Sequence, residues 1–223
     1  MKLNILLLAV CASLMVAVSC KKADYLTDSG VHSAKTPLTT YEFLKNHPWK
    51  SFDTLVTILD HYGLQEEVNG AGTFFAVTNR SIRNYMNMKQ VQTEFWDENA
   101  KYTMDSLYRD LTADSIRQYM FADKIPVSAL TSEDPVLKSS LAGTSMAVRK
   151  RRQQVSTDFS FEPVYYLYLV KVRGGLDDPN NPPSGNDPNV DATVLCQTTG
   201  IETQNGKGTI LHVLQNSHGF VRF

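Results

Sequence analysis

Two sets of side chains in this sequence have the types and spacing to do chemistry. The first is one thiol: Cys20 closes the apolar run "LMVAVSC" and is followed at once by Lys21 and Lys22. A thiol placed there can form a thioether to diacylglycerol, and cleavage before it frees an amine for a third acyl chain. Each buried methylene is worth about 0.8 kcal/mol, so two or more chains hold a protein stably on a bilayer. The second set is Asp187, Asn189 and Asp191, whose alternate spacing matches the start of a calcium loop. The rest of that loop fails, because Ala192 stands at the sharp-turn glycine and Thr198 at the bidentate glutamate. No metal site is expected.

Other chemistry is thinly represented. His61, His212 and His218 lie in three separate contexts, with no His-x-x-x-His and no Cys-x-x-Cys. No Gly-x-Ser-x-Gly elbow or phosphate loop occurs, so no catalytic residue and no cofactor is assigned. Cys196 in "TVLCQT" reads as a small buried hydrophobe on a strand, without the basic neighbours that activate a thiol. The run "RKRRQQ" carries four positive charges, but the formal net charge is −1, and removing a leader that holds Lys2 makes it more negative. A solvated strand or hairpin explains the run, and no nucleic-acid partner is expected.

The elements around Cys20 fit its chemistry. Lys2 is a short positive start, and Leu3 to Val18 is apolar apart from Asn4 and Ser13. That run is short for a membrane span of roughly 20 residues and suits a cleaved leader over 1–19. "VAVSC" resembles the lipobox of bacterial lipoproteins, with Ala17 where that motif prefers leucine. The resemblance implies acylation at Cys20 and anchoring to an outer membrane of the Bacteroides type. Acidic residues after the cysteine favour surface export in such bacteria, and Asp24 alone leaves the surface and periplasmic faces both open. Residues 20–39 are polar, with Gly30 and Pro37, and read as a flexible tether.

Beyond the tether the signals alternate between helix and strand. Thr39 and Glu42 have capping-box spacing. In "SFDTLVTILDHYG", Phe52, Leu55, Val56 and Leu59 share a helix face, Ser51 can cap the start and Gly63 can close the end. Thr73 to Val77 is β-rich, and Asn79 is a plausible cap for the helix that follows. The segment "FDTLVTILDHYGLQEEVNGAGTFFAVTNRSI" resembles the opening of a fasciclin-like domain: Thr73, Phe75, Ala76, Thr78 and Asn79 match its strand motif, and Val77 replaces a proline. "SIRQYMFADKI" is similar to the family's Tyr-His helix, with Tyr119 kept and Met120 in place of the histidine. "SLAGTSMAV" and "EPVYYLYLVKVRGG" read as strands, the second apolar on both faces. "VLCQTTGIETQNGKGTILHVLQ" resembles the closing hairpin, with Ile210 to Leu214 in order and the Asn205-Gly206 pair displaced upstream.

The resemblance implies an α+β fold over 40–223, a fasciclin-like β-sandwich or wedge with flanking helices in a single domain. Residues 87–114 read as an inserted helical segment and 174–191 as an Asn/Asp/Pro-rich loop. Together the two resemblances imply a lipid-anchored interaction or adhesion module without catalytic activity, meeting the membrane through Cys20 and a protein or glycan through its domain. Phe95, Trp96 and Tyr102 in the insertion pack locally or form a sugar-stacking platform, and helical spacing does not choose between these. With the tyrosines at 165 to 168, they carry the alternative of a glycan-binding lipoprotein serving polysaccharide uptake.

Overall fold

The computed structural model describes residues 34–153, 164–178, 181, 183–184 and 187–222. The leader, Cys20 and the tether as far as residue 33 lie outside the described residues.

Three short helices follow the tether. α1 (Thr40–Lys45) opens with the expected capping box: the Glu42 N–H donates to the Thr39 hydroxyl at 3.2 Å, and the Thr39 N–H donates to the Glu42 carboxylate at 3.0 Å. α2 (Asp53–Tyr62) buries Leu55, Val56, Ile58 and Leu59 and closes on Gly63 at φ 65°. That left-handed angle is open to glycine at no steric cost. α3 (Gln65–Gly70) then leads into strand β2 (Thr73–Ala76), all four of whose residues are buried.

The caps differ from the local pattern in an informative way. Ser51 does not cap α2, whose first position outside the helix is Phe52 without a side-chain cap bond. The Thr54 N–H donates instead to Asn79 Oδ1 at 2.8 Å. Asn79 is the first residue of α4 (Asn79–Trp96), and it is Thr78 whose hydroxyl accepts the Ser81 N–H of that helix. Asn79 therefore stabilises the start of the earlier helix, a long-range pairing that local spacing cannot reveal.

α4 runs unbroken through residue 87, so the expected insertion begins inside an existing helix. α5 (Met104–Asp110) and α6 (Ala113–Arg117) complete the helical part. Arg117 fastens α6 to α3 with a two-pronged contact to Glu67, at 2.7 and 2.6 Å.

The strands make one nearly closed sheet. Besides β2 they are β1 (Ala34–Lys35), β3 (Met120–Phe121), β4 (Val136–Ser139), β5 (Ser145–Arg152), β6 (Tyr165–Lys171), β7 (Ala192–Glu202) and β8 (Ile210–Leu214). Their order is β3-β2-β8-β7-β6-β5-β4, with β1 parallel to β7. β7 pairs with β6 over its first residues and with β8 over its later ones, so the two half-sheets share a strand. The Leu141 N–H, just past β4, donates to the Met120 carbonyl of β3 at 2.8 Å and draws the two ends together. Residues 34–38, placed in the tether by sequence, run along the end of β7: the Thr36 N–H donates to Glu202 O, and Thr36 O accepts the Asn205 N–H. The fold is thus a mixture of helices and sheet around one apolar core, which takes side chains from both.

Candidate functional site

The residues singled out by the sequence divide between two places. His212 lies on β8, opposite an irregular stretch of β7 around Thr198 to Ile201. There Gly200, at φ 75°, turns its N–H toward His212 Nδ1 at 3.2 Å. Nδ1 accepts, so Nε2–H donates to Ile125 O at 3.0 Å. The imidazole also stacks on Phe75, with centroids 4.9 Å apart. Burial pushes its pKa down to about 4, so the ring is neutral at pH 7. One nitrogen ties β8 to β7 and the other ties β8 to the loop after β3, so both are occupied within the framework.

Tyr119 is buried just before β3, and its carbonyl accepts the Phe75 N–H of β2 at 2.9 Å. Its hydroxyl accepts the Val221 N–H at 2.9 Å and meets His218 Nε2 at 2.8 Å. Burial raises the phenol's pKa and lowers that of His218 to about 4. Met120, in the place of the family's histidine, is a buried residue of β3. Cys196 is a buried free thiol whose pKa burial pushes up, away from reactivity. His61 stacks flat on Tyr108 at 3.7 Å, joining α2 to α5.

The acidic array is taken up by turns. Asp191 accepts the Arg173 and Asp177 N–H groups at 2.9 Å each, and Asp187 accepts the Asn189 N–H at 2.8 Å. Among the described residues, no group of three or more His, Cys, Asp or Glu is placed to hold a metal ion. The basic run forms the end of β5 and lies in register with the tyrosines of β6, Arg149 opposite Tyr168 and Arg151 opposite Tyr166. Lys150 Nζ sits 4.9 Å from the centre of the Tyr165 ring. Read separately in the sequence, these two clusters are one strand pair.

The second place is the far end of α4 and the loop that returns to α5. Tyr102, Phe95 and Trp96 separate there. Tyr102 turns inward: its N–H donates to Gln90 Oε1 at 2.6 Å and its hydroxyl to Asp110 Oδ2 at 3.0 Å. Burial, then the bond to Asp110, raises its pKa. Lys89 Nζ lies 2.7 Å from the same carboxylate, and this hydrogen bond lowers the Asp110 pKa and raises that of Lys89. Gln90 Nε2 also donates to Ala100 O at 3.0 Å, fixing the loop.

On this braced base the apolar side chains point to water. Val91 is 68% exposed, Phe95 79% and Trp96 85%. Phe95 and Trp96 meet edge-to-face, with centroids 5.2 Å apart. Positions 91 and 95 share a helix face, so the three form one exposed ridge. Beside Trp96 opens a cleft of about 510 Å³, with Lys89, Gln92, Ser106 and Arg109 on its walls. Asp110 in the cleft is already engaged by Lys89 and Tyr102, so the arrangement offers contact surfaces rather than a free acid and base.

The sequence flagged Phe95 and Trp96 but missed Val91, Arg109 and the Lys89–Asp110 pair. Only the fold brings residue 110 back to residue 89. Among the described residues no helix is long and apolar enough to cross a membrane. Neither a protein-family model nor a curated protein matches the chain.

Proposed function

We propose that this chain is a lipid-anchored, non-catalytic interaction module of a bacterial envelope, with a fasciclin-like domain that makes its contacts through the ridge Val91–Phe95–Trp96. The observation that carries the reading is this ridge. Three large apolar side chains, each more than two-thirds exposed, stand together on a helix end braced by the Lys89–Asp110 pair and by Tyr102. Scattered apolar residues are normal on a surface, whereas a contiguous group of this kind marks a binding face. Aromatic residues are also enriched where interfaces bind most strongly. The anchor rests on the Cys20 motif, and the family on the order of helix, strand, Tyr helix and His hairpin.

A glycan partner is favoured by a separate observation, the polar walls of the cleft beside Trp96. Gln92, Ser106 and Arg109 can hydrogen-bond hydroxyl groups while the indole covers a sugar face. Mild crosslinking of membranes, followed by detergent extraction and mass spectrometry, tests the main reading. The expected product is an acylated Cys20 N-terminus on a chain joined to a discrete partner. Recovery of only the monomer, or an unacylated N-terminus, contradicts it.

A further inference from the structure

A second pocket, of about 290 Å³, lies between the α1–α2 loop and the strands β7 and β8, and its walls are made differently from those of the Trp96 cleft. Phe52, Ile201 and Val213 give it an apolar floor. Ser51, Gln197, Thr198 and Asn216 bring hydroxyl and amide groups to it. None of its lining residues is Asp, Glu, Lys or Arg. His47 is its one titratable wall, and burial holds that ring's pKa below the ordinary value, which keeps it neutral at pH 7.

Two features set this loop apart. Trp49 is 83% exposed, with its indole edge-on to His47 at 5.7 Å. The next residue, Lys50, has φ 51°, a left-handed conformation that costs a non-glycine residue energy. It persists because both sides are tied: the Lys50 N–H donates to His47 O at 2.9 Å, and Lys50 O accepts from Asn79 Nδ2 at 2.7 Å. The same Asn79 holds the start of α2 through Thr54. A strained peptide is thus pinned by the framework, and it carries an indole into water beside a pocket. His47 Nδ1 is buried there, and no protein group among the described residues hydrogen-bonds it.

We propose that this pocket is a binding site for one pyranose ring of a neutral glycan, stacked on Trp49 with its hydroxyl groups toward Ser51, Thr198 and Asn216. The chemistry selects this class. An aromatic wall covers the apolar C–H face of a sugar, neutral hydroxyl and amide groups match its edge, and the lack of charge disfavours acidic sugars and phosphates. The volume suits a single ring rather than a long chain segment. This site lies apart from the Val91–Trp96 ridge and does not depend on the role proposed for it.

The chain has two tryptophans, which makes the test direct. The full chain is taken in a detergent without a sugar headgroup and titrated with a panel of neutral hexasaccharides, with oligogalacturonate as the charged control. In Trp96→Phe, where Trp49 alone reports, at least one neutral sugar is expected to shift the emission to shorter wavelength. In that Trp96→Phe background, calorimetry should show binding of the same sugar weakened at least tenfold by Trp49→Ala and unchanged by Glu133→Ala, an exposed position that lines neither pocket. Silence across the panel, equal binding of the charged control, or binding that Trp49→Ala leaves intact overturns the proposal.

Discussion

The sheet around His212 and the outer end of α4 use the same kinds of side chain in opposite ways. At the sheet, aromatic rings and imidazoles are buried and their polar atoms are tied to backbone: His212 to Gly200 and Ile125, Tyr119 to Val221. At the helix end, Tyr102 and Lys89 are tied to the Asp110 side chain, yet Phe95 and Trp96 nearby are left in solvent. Burying an aromatic ring is among the largest apolar gains a residue can make. A surface that forgoes this gain, on a braced base, is what the proposed contact role would require. On the reading proposed above, the sheet end is the scaffold and the helix end the binding face.

The contrast can be broken most forcefully at the sheet. Phe75 is fully buried and packs on both Phe121 and His212. Phe75→Ala should cost about 3–5 kcal/mol in denaturant unfolding. A loss under about 1 kcal/mol would mean the sheet end is not a packed scaffold.

Acid is the next largest lever. His212 and His218 have pKa values lowered by burial from the ordinary 6.5 to about 4. Their contribution is complete above about pH 6.5. Between 6.5 and 4 the unfolded chain binds protons that the folded chain refuses, so stability falls with pH and levels off below 4. The loss is on the order of 3 kcal/mol for each ring. Unfolding free energies measured across that window should show it, and His212→Gln with His218→Gln should flatten the slope. An unchanged slope in the double variant would place the acid response elsewhere.

Smaller effects sharpen the picture. Asn79→Ala removes the bond to Thr54 and the tie to Lys50 O, and should cost about 1 kcal/mol. Faster hydrogen exchange should follow at the start of α2 rather than at the start of α4. Exchange rising first in α4 would contradict the assignment of the cap. Smallest of all, Phe95→Ala with Trp96→Ala should shift thermal stability by no more than about 0.5 kcal/mol, as expected for exposed positions.

Legibility in the sequence followed the range of the interactions. The α1 capping box, the Gly63 stop and the buried strand Thr73–Ala76 depend on neighbours a few residues apart, and all three were readable. The cap of α2 by Asn79, the strand formed by tether residues 34–35 and the pairing of Arg149–Arg152 with the β6 tyrosines depend on residues brought together by folding. Trp96 was picked out as an aromatic residue of interest, but its exposure follows from where Tyr102 and Asp110 fold back. Trp49 and His47 carry no sequence signal, because a short loop containing Pro48 has no period.

Site-resolved photocrosslinking in intact cells tests the division between scaffold and binding face most directly. A photoreactive phenylalanine is placed at position 96 in one strain and at exposed Glu133 in another, with membrane attachment verified in both. The expected result is a discrete adduct from position 96, absent from position 133 and lost when Val91→Ser and Phe95→Ala are added. Equal adducts from both positions, or none from position 96, would show that the ridge is not where this protein makes its contacts.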